Sequence, residues 1–343
     1  MLRPLALAIG ICAIVGSAAQ GNDSSAELAT GGLVLKKNTD IEMRSENLYI
    51  SPKQIRVKYE FYNPSSKDMR TVVAFPMPDI TVTGFHDIAV PTDDPQNILG
   101  FSTKIDGKSA PVRVEQKVFA DGKELTAVLT RLGVPLAPHL PTTLAALDRL
   151  APEALGELKR LNLVEVEEFD AGKGMEKHAS PRWTLKTTYY WDQIFPAKSE
   201  TTIEHQYIPS VGSSLQAALA STTERRYEPT AGGEDETDAS QIRNKYCIDA
   251  AFLAAVEKGR KAAKRDYPAF SEERIAYILT TGANWARPIR RFRLVVDKAD
   301  PSNLVSFCGK GVRKISDTQF ELVRNDFTPQ AELDVLILKP TNR

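Results

Sequence analysis

The sequence predicts a mainly β protein: two antiparallel β-sandwich-like regions, a small helical insertion between them and one longer amphipathic helix. Three observations predict it. Short runs alternate strictly between apolar and polar residues, as Ile55, Val57, Tyr59 and Phe61 do against Arg56, Lys58 and Glu60, which is the period of a half-buried strand. Turn dipeptides such as Asp106-Gly107 and Asp121-Gly122 separate such runs. A leucine spacing of helical period interrupts the pattern between about 126 and 163.

The amino end, MLRPLALAIGICAIVGSAAQG, puts Arg3 ahead of an apolar run from Leu5 to Val15 and then small residues. That order is a signal peptide. Its apolar run falls short of the roughly 20 residues that span a bilayer, so removal is expected, before Gln20 or before Asn22. Ile11 ahead of Cys12 is too bulky for a lipidation site. No later segment reads as a membrane span, and the mature chain is expected to be soluble and periplasmic or secreted. Lysine plus arginine and aspartate plus glutamate both number 44, a balance that points away from nucleic acid. The expected partner is an envelope component, protein or polysaccharide.

The first region, 22–125, reads as strands and turns. "NPSSKD" turns the chain after Phe61, and "RTVVAFPMPDI" returns as a strand that Pro76 and Pro78 must end or confine to an edge. In the insertion and connector, 126–182, Leu144, Leu147 and Leu150 and then Leu155, Leu158 and Leu161 suggest two short helices. Pro152 suits the first turn of the second. "EVEEFDAGKGMEKHASP" reads as a charged connector without the spacing of a calcium loop.

In the last region, 183–343, Leu185, Thr187, Tyr189 and Trp191 share a strand face, and "DQIFPAKSE" leads to a second strand where Ile203, His205 and Tyr207 alternate with Thr202, Glu204 and Gln206. The two strands are expected to form a hairpin. Residues 249–265 read as the amphipathic helix, with Phe252, Leu253, Val256 and Ala263 inward. Five further strand candidates follow, from "RIAYILTT" to "LDVLILKP". With Cys12 removed, Cys247 and Cys308 are an even pair in an exported chain and are expected to form a disulfide. The acids Glu234, Asp235, Glu236 and Asp238 read as a solvated loop with weak cation binding as the alternative.

Chemistry has no assembled motif. There is no G-x-S-x-G elbow and no H-E-x-x-H, and the four histidines are far apart in sequence. The expectation is no catalytic, cofactor or metal site and a binding or scaffolding role in the cell envelope. The rival is an envelope hydrolase acting on glycan or peptide, for which His205, Asp192 and Glu204 are the candidate acids and bases. Paired-carboxylate glycoside hydrolysis leaves no local signature and stays open. Trp183, Trp191 and Trp285 read as core anchors, with a sugar-stacking face as the alternative.

Three stretches carry a resemblance: "YYWDQIFPAKSETTIEHQYIPSVG", "TTGANWARPIRRFRLVVDK" and "NLVSFCGKGVRKISDTQFELVRNDFTPQAELDVLIL". With the amino-terminal strands they resemble an uncharacterised family of exported bacterial proteins, a domain of unknown function, over nearly the whole mature chain. The resemblance implies no activity. A shorter one, "YEFYNP" followed by "VVAFPMPDITVTGF", is similar to the amino-terminal domain of inter-alpha-trypsin inhibitor heavy chains. The D-x-S-x-S metal motif of the adhesion domain that often follows that module is absent here.

Overall fold

The computed structural model describes residues 22–29, 32–81, 87–170, 174–214, 239–263 and 269–341. The signal peptide and the acidic run 234–238 lie outside them. The chain begins with β1 (Ser24–Ala29), β2 (Gly32–Lys36), β3 (Glu42–Ser51), β4 (Gln54–Tyr62), β5 (Met69–Pro76), β6 (Ile80–Thr81), β7 (Asp87–Ala89), β8 (Ser102–Ile105), β9 (Lys108–Ala110), β10 (Arg113–Ala120) and β11 (Lys123–Glu124). Helices α1 (Thr126–Arg131), α2 (Pro141–Leu147) and α3 (Pro152–Arg160) follow, then β12 (Val164–Asp170), β13 (Met175–Pro181), β14 (Thr184–Phe195), β15 (Glu200–Tyr207) and β16 (Val211–Ser214). The remainder is α4 (Ala239–Lys245), α5 (Ala250–Ala262), β17 (Phe270–Tyr277), a 3-10 turn (Thr280–Asn284), β18 (Ile289–Asp297), β19 (Leu304–Phe307), β20 (Arg313–Lys314), β21 (Gln319–Phe327) and β22 (Leu333–Pro340).

Two large sheets face each other. One has seven strands in the order β11-β10-β14-β5-β1-β2, with β6 also on β14; the other has eight, β20-β21-β18-β3-β4-β15-β8-β9. Both draw strands from 22–125 and from 183–343, and β18 lies parallel to β3 while its other neighbour, β21, is antiparallel. A five-stranded sheet, β19-β22-β17-β16-β7, covers one end. The apolar faces read from alternation are the faces buried: Ile55, Val57, Tyr59 and Phe61 on β4, Leu185, Tyr189 and Trp191 on β14, Ile203 and Tyr207 on β15. Across the gap Phe61 meets Phe195 with ring centroids 5.5 Å apart.

The expected hairpin of β14 and β15 does not form. β14 pairs with β10 and β5 in one sheet, and β15 pairs with β4 and β8 in the other. The link is an arch between layers, and the β4–β5 link is its twin. Alternation fixes which face of a strand is apolar, and that face can be buried equally well against a facing sheet or within one. The two arches are stitched together. Asn63 Nδ2 donates to the carbonyls of Lys67 and Phe195 at 2.8 Å, Asn63 N donates to Ser199 O and Lys198 N to Ser65 O, both at 3.1 Å.

The insertion holds three short helices where two were expected. Leu129, Leu147 and Leu158 are buried while Leu144 is exposed, and Pro141 and Pro152 each sit in a first turn. The charged connector is in part a two-stranded ribbon, β12 with β13, paired from Val164↔Pro181 to Asp170↔Met175. Both Asp-Gly pairs make their hairpins, with φ of 48° and 76° at Asp106 and Gly107 and 48° and 73° at Asp121 and Gly122, the left-handed angles of a type I′ turn. Asp249 caps α5, accepting from Phe252 N at 2.7 Å, and Phe252 and Val256 are buried against the end sheet. β22 is buried on both faces, with Val335 and Ile337 in the main core and Leu336 and Leu338 under α4 and α5, which suits its unbroken apolar run. Cys247 and Cys308 form the expected disulfide. Among the described residues no helix is long and apolar enough to cross a membrane.

Candidate functional site

The three candidate residues do not converge. Asp192 stands on the outer side of β14, where Arg113 pairs with it at 2.8 Å. Glu204 is on the outer side of β15, paired with Lys58 at 2.9 Å. His205, one residue on, points the other way into the core with Ile203 and Tyr207, and its side chain has no exposure at all. Burial alternates along β15, so adjacent positions are held on opposite faces of a sheet.

His205 nevertheless belongs to a constellation of polar groups between the layers. Its Nε2 is 3.0 Å from Asp23 Oδ1 and its Nδ1 is 2.9 Å from Thr103 Oγ1. With Nε2–H donating to Asp23, Nδ1 accepts from the Thr103 hydroxyl in the neutral ring and donates to it in the imidazolium. The rings of Phe75, Phe101, Trp191 and Tyr59 surround it at centroid distances of 4.9, 5.0, 5.3 and 5.8 Å. Beside it Asn22 Nδ2 donates to both oxygens of Glu46 at 3.2 and 3.1 Å, and Asn22 Oδ1 accepts from Tyr59 OH and from Asp23 N. Tyr59 and Tyr277 hydroxyls are 3.2 Å apart. Thr281 Oγ1 donates to Asn22 O at 2.7 Å and Trp285 Nε1 to Asp23 O at 2.8 Å.

Burial governs the electrostatics. It raises the Asp23 carboxyl, a rise that the His205 ring opposes in part. It pushes Glu46 up to about 8, against the Asn22 amide and with help from the Asp23 charge. Tyr59 and Tyr277 are held well above the ordinary phenol range, again by burial first. Asp23, His205 and Thr103 thus have the residue types and contacts of an acid–base relay. A relay needs a substrate within about 3 Å of its members, and these are enclosed by aromatic rings.

Sequence reasoning found His205 and missed its partners. One signal was available: Glu46 keeps step with Leu48 and Ile50 on β3, a lone acid in a buried row. Asn22 and Asp23 gave none, because they precede the first alternating run, and Thr103 and Tyr277 read as ordinary strand residues. The tryptophans are core anchors: Trp183, Trp285 and Trp191 are 0, 1 and 3% exposed. Among the described residues no group of three or more histidine, cysteine or acidic side chains is placed to hold a metal ion.

The model of one family, domain of unknown function DUF4424, matches residues 21–336. The chain belongs to the DUF4424 family. No curated protein matches it. Among solved structures it is similar to a Legionella pneumophila protein titled a "putative nutrient binding protein", at 16% identity and a TM-score of 0.44, over 93% of this chain and 70% of the other. That likeness is too distant to bear on function. Within the DUF4424 family, then, the burial of the polar cluster in this chain is the physical fact from which a role has to be argued.

Proposed function

We propose that this DUF4424 protein is an exported, non-catalytic binding or scaffolding protein of the bacterial cell envelope. The observation that carries the reading is the enclosure of Asp23, His205 and Thr103, all under 5% exposed. Their hydrogen bonds satisfy the His205 ring nitrogens, Thr103 Oγ1 and Asp23 Oδ1 and tie the segment before β1 to β15 and β8, which is a structural use of groups that catalysis would need open to substrate. The Cys247–Cys308 disulfide supports an extracytoplasmic setting.

A protein partner fits better than a polysaccharide. Sugar binding draws on open aromatic faces, and all three tryptophans are buried. The half-buried tyrosines Tyr62, Tyr49 and Tyr190 on the outer faces have guanidinium groups over their rings, from Arg44 at 3.5 Å and from Arg56 and Arg113 at 4.6 Å. These stacks occupy the surfaces that a sugar ring would use.

The test is retention of the oxidised mature protein on isolated envelope fractions, with peptidoglycan, polysaccharide and membrane protein assayed separately and the recovered material checked for cleavage. Retention by the membrane-protein fraction without turnover is the expected result. Turnover of peptidoglycan, polysaccharide or peptide would overturn the reading in favour of a hydrolase.

A further inference from the structure

With both of its carboxyls ionised, the polar cluster would be one positive charge short. Asp23 and Glu46 are both fully buried carboxyls, and His205 is the one side chain in the cluster able to carry a positive charge. Asp23 faces it from the segment before β1, Glu46 from β3, Tyr59 from β4, Thr103 from β8, His205 from β15 and Tyr277 from β17. Neither lysine nor arginine is among these contacts. Asp23 Oδ2 is buried with no hydrogen-bond partner among the described residues. Glu46 has the neutral amide of Asn22 as its donor. A buried carboxylate without a counter-ion is costly, and burial accordingly holds the Glu46 carboxyl up at about 8; a cation beside it would let it ionise at neutral pH.

Asn22 is where that cation can arise. Asn22, Asp23 and Ser24 are successive residues with no exposure, directly after the small residues at which the signal peptide is expected to end. Asn22 is held at its side-chain oxygen, side-chain nitrogen and carbonyl, by Tyr59, Asp23, Glu46 and Thr281. Gly282 closes over it so tightly that a Cβ there would stand 2.8 Å from Asn22 Nδ2. Its backbone nitrogen makes no hydrogen bond to any described residue, and belongs to the same residue whose side chain already touches Glu46.

We propose that the chain is cut between Gly21 and Asn22 and that the α-ammonium released on Asn22 becomes the buried counter-ion of Glu46. Water adds across the peptide bond: the carboxylate leaves with Gly21 on the leader, and the amine stays on Asn22 and takes up a proton. The core then holds two neutral pairs, His205 with Asp23 and the amino terminus with Glu46. A chain cut before Gln20 keeps a neutral amide at Asn22 and leaves Glu46 with the Asn22 side-chain amide but no counter-ion, so that it stays protonated at neutral pH. Removal of the leader thereby completes the fold, and the inference rests on export but on no particular ligand.

The test compares chains that begin at Asn22 and at Gln20, each prepared by removing a tag and then oxidised. In urea at pH 7 the Asn22 chain is expected to be more stable, its unfolding constant smaller on the order of a hundredfold, the scale of a buried ion pair. Glu46→Gln should remove that advantage by weakening the Asn22 chain alone. Equal stability of the two chains, or an equal effect of Glu46→Gln on both, would overturn the pairing. A second readout needs no variant. Reductive methylation of the native Asn22 chain should modify exposed lysines such as Lys177 and spare the α-amine, and modification of both at one rate would overturn it. The mass of the exported protein tests the cleavage separately: a chain starting at Asn22 is expected, and one starting at Gln20 contradicts it, whatever the envelope-binding experiment finds.

Discussion

His205 shows how a residue with catalytic credentials can serve packing. Its hydrogen bonds to Asp23 and Thr103 are made inside a ring of aromatic side chains. Removing it leaves the Asp23 carboxyl buried without its partner, so His205→Ala is expected to destabilise the protein by about 3–5 kcal/mol in urea unfolding. Retention of that variant on envelope fractions, measured where it is still folded, should match wild type. Glu46 gives a pH dependence whose sign follows from its raised value. A carboxyl at about 8 when folded against an ordinary 4.5 binds its proton more tightly in the folded chain. Its contribution is therefore full below about 4.5 and is lost as pH rises through about 8. In a chain beginning at Gln20, urea midpoints followed from pH 5 to pH 9 should fall over that window, and Glu46→Gln should flatten the fall. In a chain beginning at Asn22 the paired ammonium should move the fall to higher pH.

At the scale of elements, the twin arches decide the layering. Asn63 joins them by donating to two carbonyls, one on each arch. Asn63→Ala takes the amide donor from the buried Phe195 carbonyl, while Lys67 O keeps the Ser65 hydroxyl, and is expected to cost about 1–3 kcal/mol for the buried group left unpaired. Urea unfolding gives the cost, and hydrogen exchange should show faster opening at Lys198 N and at the backbone N of residue 63, the two amides that join the arches, than on β18. Many of the strands, β4, β5, β14, β15, β18, β21 and β22 among them, were legible in the sequence, because alternation is a local signal carried by residues such as Ile55 to Phe61 and Ile203 to Tyr207. Which strands pair was not legible. The link after Phe195 and the link after Tyr62 have the composition of hairpin turns, yet each crosses between sheets. The β12–β13 ribbon was hidden for another reason: glutamates and lysines fill its alternate positions, so its period is carried by little more than Val164 and Val166. The polar cluster needs Asn22, Glu46, Thr103, His205 and Tyr277 from distant parts of the chain; His205 was read on its apolar strand face, and the out-of-place acid on β3 was a second signal that went unread.

The whole molecule closes around one core that runs through both large sheets and the inner face of the end sheet. A smaller cluster beneath α4 and α5 is tied down by Cys247–Cys308, whose loop spans 61 residues of sequence separation. Reduction should lower stability by about 4 kcal/mol in the chain-entropy model. The loss should be read as a lower urea midpoint in reductant, with the Cys247→Ser, Cys308→Ser double variant shifted equally and insensitive to reductant. The Cys247→Ser, Cys308→Ser variant should still enclose His205, since that residue lies in the main core and the disulfide lies at the end sheet.

A non-catalytic role stands or falls on whether that enclosure holds in solution. The direct measurement is carbethoxylation of histidines in the native, oxidised protein, resolved by peptide mass. His178, with 36% of its side chain exposed, serves as the accessible reference against the fully buried side chain of His205. A sealed cluster predicts modification of His178 under conditions that leave His205 untouched until urea unfolds the chain. Modification of His205 in the folded protein at a rate near that of His178 would contradict it, and would return Asp23, His205 and Thr103 to the list of groups that a substrate can reach.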